Sequence, residues 1–194
     1  MNAKNIFSVQ VADLFKQHSA KFNKMFDQIS SKNGLIEDTK KVADEIYEKC
    51  KINFDVAVDF NSPKCDVRLD ADKSSLNITT GYQQYAVVDV EFQIQGNADL
   101  LQYHPMKSFS LKNHRKNGVI NSNTLQNSFG TQSQTITLSN SEKNKVNKSK
   151  KDWISEFDKI LQKVKLECEE YNTKLQNCII SQIDEINKKV KNQI

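Results

Sequence analysis

Residues 85–94 read YAVVDVEFQI, and in this stretch Val88, Val90, Phe92 and Ile94 alternate with Asp89, Glu91 and Gln93. Period-two alternation puts the apolar side chains on one face of a strand and the polar ones on the other, so the middle of the chain is half-buried β-sheet. Upstream, Phe54, Val56, Val58 and Phe60 alternate with Asn53, Asp55, Ala57 and Asp59 in the same way and predict a second strand. Pro63, Gly81 and Gly96-Asn97 supply turn chemistry between these runs, and Leu76 with Ile78 suggests a short strand between them. Further short strands are expected at Phe109 and Leu111, Val119 and Ile120, and Ile136 and Leu138. The polar, uncharged stretch 121–134 (NSNTLQNSFGTQSQ) reads as a loop or a wide hairpin arm.

Outside this region the period changes from two to three-and-four. Phe7, Val11, Leu14, Phe15, Phe22, Met25, Phe26 and Ile29 form one stripe of a first helix, and Val42, Ala43, Ile46, Tyr47 and Cys50 one stripe of a second. The segment Ser30-Ser31-Lys32-Asn33-Gly34 lies between them. As a kink, Gly34 leaves one long two-helix rod, the version the matching lengths of the two chain ends favour; as a terminus it folds the first helix back into a three-helix bundle. At the other end, Ser149-Lys150-Lys151-Asp152 has capping-box spacing. Behind it Ile154, Phe157, Leu161, Val164, Cys168, Tyr171, Leu175 and Cys178 step by threes and fours, and Ile179, Ile183, Ile186 and Val190 continue the seam after a slip. A helix of about 44 residues, roughly 66 Å long, is expected there.

The predicted fold class is therefore α+β. Long N- and C-terminal amphipathic helices pair antiparallel, as a coiled-coil-like stalk or a three-helix bundle, and flank a central antiparallel β module. The organisation reads as a helical segment at 1–51, the β module at 52–141, and a basic linker with the long helix at 142–194.

Composition narrows the function classes. The net charge of +4 is the difference between 28 basic and 24 acidic side chains, and 26 of the basic residues are lysines, beside Arg68 and Arg115 only. No large single-sign field is implied. Asp13, Lys16, Gln17 and His18 interrupt the only apolar run near the N-terminus, so neither a cleaved signal nor a membrane partner is expected. Cys50, Cys65, Cys168 and Cys178 form no C-x-x-C pair, which fits reduced thiols and a cytoplasmic setting. No phosphate-binding glycine loop, G-x-S-x-G elbow or H-E-x-x-H pair occurs, and no metal, cofactor or catalytic residue is assigned.

The leading functional expectation is a non-enzymatic structural or adaptor protein. A narrow apolar seam exposes surface that a second copy or a protein partner would cover, with Phe157, Leu161, Val164, Tyr171, Leu175, Ile183 and Ile186 as the interface. The alternative is nucleic-acid binding by the run 142–151, in which Lys143, Lys145, Lys148, Lys150 and Lys151 would meet phosphates beside a stacking Trp153. A third reading is a metal-dependent nuclease. Asp66, Asp89 and Glu91 would hold the ion, although Gln93 stands where that pattern needs lysine, or His104, His114, Asn117 and Asn121 would do so. His18, between Phe15 and Phe22, reads as a satisfied histidine within the helical stripe.

Overall fold

The computed structural model describes residues 4–31, 35–71, 84–106, 118–131 and 133–192. Among these the protein is α+β, with a five-stranded antiparallel sheet and three α-helices, the last of them long and C-terminal. The expected strands at Leu76 and Ile78 and at Phe109 and Leu111, and the turn glycines Gly34 and Gly81, lie outside the described residues. The chain divides into two compact units, one comprising Met1–Ser8, Asp55–His104 and Ser108–Leu161, the other Val9–Phe54, Pro105–Lys107 and Gln162–Ile194.

The first unit holds the sheet. Its strands are β1 (Lys4–Asn5), β2 (Val56–Ala71), β3 (Gln84–Gly96), β4 (Gly118–Asn121) and β5 (Thr124–Gly130), in the order β1-β4-β5-β3-β2 with every neighbouring pair antiparallel. The alternation read in 85–94 sets the centre: Val88, Val90, Phe92 and Ile94 are buried, while Asp89 and Glu91 are half-buried on the other face. Against the buried face lies the start of the long helix α3 (Asn140–Lys191). Trp153 stacks on Phe92 at 5.8 Å between ring centres, and Phe60, Phe129 and Phe157 stand within 6.4 Å of the indole. Phe7 closes the cluster over Phe157. Such ring pairs add about 0.5–1.5 kcal/mol each beyond the area they bury.

Two local expectations are corrected and one left open is decided. Pro63 does not end a strand: β2 continues past it through a register shift between Asp59 and Lys64. Because β2 is the edge of the sheet, a residue without an N–H is tolerated at such an irregularity. The polar stretch 121–134, open between a loop and a wide hairpin arm, is the hairpin arm: it carries β5, whose Leu125, Asn127 and Phe129 face inward. Ile136 and Leu138 form no strand, and hydroxyls of Ser133 and Thr135 turn the chain there by bonding the carbonyls of Thr135 and Thr137. Gly96 ends β3 with φ +79°, where a Cβ would overlap the carbonyl oxygen of Asp55, so only glycine fits this turn.

The second unit is helical. α1 (Val11–Ser30) and α2 (Thr39–Cys50) pack on each other and on the later part of α3. Phe22 and Phe26, Ile46 and Cys50, and Leu175, Ile179 and Ile183 form one buried cluster from all three helices. The two-helix rod across Gly34 is thereby excluded, since α1 and α2 lie alongside each other. α1 meets α3 at Tyr171: Phe15 stacks on its ring, and the hydroxyls of Ser19 and Tyr171 meet at 3.1 Å. α2 runs antiparallel to α3.

Two asparagines set that antiparallel register. The Asn172 side chain accepts from the N–H of Ile52 (2.8 Å) and donates to the carbonyl of the same residue (3.0 Å). Asn187 does the same to Ile36, at 2.9 and 3.1 Å. Ile36 precedes α2 and Ile52 follows it, so each end of the helix is tied to α3 by an amide that replaces a missing backbone partner. Asn172→Ala should cost about 1–3 kcal/mol, the usual penalty of leaving buried polar groups unpaired. Urea denaturation with an unchanged slope would show it; Asn177→Ala, on the same helix, serves as the control and should change stability by less than about 0.5 kcal/mol.

Candidate functional site

Three arrangements deserve consideration: the polar face of the sheet, the lysine run, and a groove between α2 and α3. On the sheet, a shallow cavity of about 420 Å³ is lined by Lys64, Cys65, Asp66, Asp89, Glu91, Gln126 and Ser128, among others. The register brings the acids together, with Asp66 directly opposite Asp89. Their oxygens are already engaged. Asp89 accepts from Arg68 Nε (2.6 Å) and from the Ser128 hydroxyl (2.5 Å), Glu91 accepts from Gln126 (2.8 Å), and Asp66 accepts from the N–H of Val67 (2.9 Å). Hydrogen bonds to Asp70 and Asp89 hold the Arg68 guanidinium above its ordinary range. Arg68, bonded to Asp89 across the strands and to Asp70 along its own, neutralises the acids on this wet face. Among the described residues no group of three or more histidine, cysteine or acidic side chains is placed to hold a metal ion. His114 and Asn117 lie outside the described residues, and the Asn121 amide donates to Gln126.

The lysine run is helical rather than a linker. The operative capping box is Ser139 with Glu142, ten residues before the expected one: the Glu142 carboxylate accepts from the Ser139 N–H and hydroxyl at 2.8 Å each, and the Glu142 N–H donates to the Ser139 hydroxyl. Lys143, Lys145, Lys148 and Lys151 are exposed and Lys150 is half-buried, while Val146 and Trp153 turn into the core. Trp153 is 8% exposed, and its ring is enclosed by the aromatic cluster. The lysines and the indole therefore do not share a surface.

The residues expected at a helical interface fill the interior of the chain. Phe157, Leu161, Val164, Leu175 and Ile183 are buried, whereas Tyr171 and Ile186 are half-buried at the rim of the three-helix cluster. The cysteines divide similarly. Cys50 and Cys168 are buried, and burial, aided by Glu167 and Glu169, pushes the Cys168 thiol up to about 12; Cys65 and Cys178 are exposed, so Cys178 does not belong to the seam. His18 is satisfied, its Nδ1–H donating to the Cys50 carbonyl at 2.8 Å.

The third arrangement was not read from the sequence. Within the helical unit, Thr39, Lys40, Ala43, Asp44 and Tyr47 on α2 and Gln176, Ile179, Ile180, Ile183 and Asp184 on α3 line a groove of about 330 Å³. Ile180 is 50% exposed there. The side chains of Lys40, Asp44 and Asp184 make no hydrogen bond or ion pair among the described residues. The available signal was the pair Ile179-Ile180: only one of two adjacent isoleucines can face a helical seam, so the second must stand off it. Comparisons of the chain with protein-family models, curated proteins and solved structures find no significant match. No helix among the described residues is long and apolar enough to cross a membrane.

The capping box carries a pH prediction. Hydrogen bonds from Ser139 hold the Glu142 carboxyl below the usual carboxylate range. A depressed folded-state value contributes stability above the ordinary carboxylate range that is lost as pH falls through the depressed value. The melting-temperature gap between the wild type and Glu142→Gln should therefore be widest near neutral pH and close in acid. A gap independent of pH would refute the assignment.

Proposed function

We propose that this protein is a non-enzymatic assembly or adaptor protein that docks a helical protein segment in the α2–α3 groove. The observation that carries the reading is the combination at Ile180: a half-exposed large apolar side chain on the rim of a groove whose charged side chains have no hydrogen-bond or ion-pair partner among the described residues. Exposed apolar surface ringed by polar groups is characteristic of protein-binding sites. The groove spans two turns on each helix, from Thr39 to Tyr47 and from Gln176 to Asp184, which suits the i, i+3 or i+4 anchors of a short amphipathic helix.

The rival sites support their readings less well. The sheet acids are committed to Arg68, Ser128 and Gln126, which favours a structural ladder over metal chemistry. The lysine run retains exposed positive charge, but the ring that would stack on bases is enclosed. Buried free thiols at Cys50 and Cys168 suit a reducing, cytoplasmic setting.

A photo-crosslinking phenylalanine analogue placed at position 180 tests the reading in living cells. A discrete protein adduct is expected from position 180 and none from position 166, because Leu166 is 58% exposed yet outside the groove. Equal labelling from both positions, or no adduct from 180, would contradict it.

A further inference from the structure

We propose that the outer edge of β2 is a self-association surface, to which a second copy of this chain adds its own β2, antiparallel, about a two-fold axis at Val67. This surface is separate from the α2–α3 groove and does not rest on the docking reading above. Among the described residues β2 is the last strand of the sheet, paired with β3 on one side and with no strand on the other. The ladder fixes which of its residues turn their backbone outward. Ala86 of β3 donates to the carbonyl of Ser133 (2.7 Å) and accepts from the N–H of Thr131 (2.9 Å), and the N–H of Ile94 donates to the carbonyl of Asn123 (2.8 Å), so the even-numbered residues of β3 point away from β2. Cys65, Val67 and Leu69 stand opposite Val90, Val88 and Ala86. Two directly opposed residues of an antiparallel ladder either both turn their N–H and C=O groups towards each other or both turn them away. Cys65, Val67 and Leu69 therefore present these groups at the outer edge. At Val67 the N–H is held by the carboxylate of Asp66 at 2.9 Å, a bond made along the strand rather than across the sheet.

Sheet edges are ordinarily protected by proline, irregularity or charge. Pro63 and the register shift between Asp59 and Lys64 protect the first half of β2. The second half reads KCDVRLD over residues 64–70, and on one face Lys64, Asp66, Arg68 and Asp70 alternate in sign. A two-fold axis normal to the sheet keeps the faces together, so odd positions meet odd, even meet even, and the axis falls on a residue. Placed at Val67, it sets Lys64 against Asp70 and Asp66 against Arg68 of the second copy, and the reverse, so that every charge meets its opposite. These are the non-hydrogen-bonded pairs, in which side chains stand closest. On the other face Val67 meets Val67, and Cys65 meets Leu69, which is 39% exposed in the single chain. Moved by one residue, to Asp66 or to Arg68, the axis opposes that charge to itself and pairs Lys64 with Arg68 or Asp66 with Asp70, like against like. Moved to Cys65, it leaves Arg68 and Asp70 facing Ser62 and Phe60 and brings Pro63, which has no N–H, against Val67. Moved to Leu69, it leaves Lys64 and Asp66 without a counterpart inside β2. The charge pattern thus admits one register. On pairing, each Val67 N–H passes from the carboxylate of Asp66 to the carbonyl of Val67 in the other copy. The released carboxylate turns to Arg68 of that copy, whose five N–H donors include two given to Asp89 and Asp70.

Sedimentation equilibrium of the full chain tests the proposal. The wild type is expected to dimerise. Val67→Pro deletes the central outward N–H without removing a ladder bond to β3, so it should be a monomer with an unchanged far-ultraviolet spectrum. Asp66→Arg alone and Arg68→Asp alone should each weaken the dimer at least about tenfold, because each turns two opposite-sign contacts into like-sign ones. Mixed in equal amounts, these two variants should recover wild-type dimerisation as a heterodimer, a result that damage to the fold does not produce. Disulfide trapping reads the register in a background of Cys65→Ser and Cys178→Ser. Val67→Cys faces its own copy at about 5.5 Å between Cα atoms and should be trapped as a covalent dimer by mild oxidation. Leu69→Cys stands four residues from its own copy along the strand, about 13 Å, and should not. A wild type that stays monomeric at its highest soluble concentration, a dimer indifferent to Val67→Pro, single charge variants that stay weak when mixed, or equal trapping from positions 67 and 69 would each overturn the proposal.

Discussion

Asn172 and Asn187 hold the ends of α2 against α3, and the helical unit depends on that pair of clamps. Each side-chain amide replaces the backbone partner that a residue just outside a helix lacks, accepting from its N–H and donating to its carbonyl. Apolar packing alone permits α2 to slide along α3 by a turn, exchanging one leucine- or isoleucine-sized contact for another. Directional hydrogen bonds at both ends do not permit the slide, because each displaced position leaves buried backbone groups without partners. The buried cluster of Phe22, Phe26, Ile46, Leu175 and Ile183 supplies the attraction, and the asparagines supply the register.

From that register follows what the surface has to offer. The seam of α3 is consumed inside the chain, by the sheet and its aromatic cluster at Trp153 and Phe157 and by α1 and α2 at Leu175 to Ile183. The surplus lies one position off the seam, at Ile180, together with Lys40, Asp44 and Asp184. An amphipathic helix long enough to suggest a coiled coil is here a core helix, and Ile180 marks where its apolar stripe is wider than the packing of α1 and α2 covers.

How much of this was legible depended on whether a local pattern had a competitor. The strand at 84–96 was legible because its period persists without a polar residue on the buried side, and the helical seam was legible except at Cys178, an exposed position that the stepping pattern had placed on it. The start of α3 was displaced because two Ser-x-x-acid boxes exist, and the lysines between them resemble a linker when Val146 is the only apolar residue in the run. β5 was hidden by Asn127, a polar residue at an inward position that breaks the visible alternation of Leu125 and Phe129. Pro63 signals a turn unless the strand is known to be an edge, which is a tertiary fact. The clamps were invisible for a similar reason: with twenty asparagines in the chain, only the packing of α2 on α3 singles out Asn172 and Asn187. The groove followed them out of sight, since it is made by two segments more than a hundred residues apart.

The most direct measurement is native-state hydrogen exchange at the amides of Ile36 and Ile52. Both lie outside the helices, and their acceptors are the side chains of Asn187 and Asn172. The account predicts that both are protected to the same degree as the interior of α2, because opening either clamp requires α2 to leave α3. Exchange of these two amides at the rate of an unstructured chain, while the amides of α2 stay protected, would contradict it.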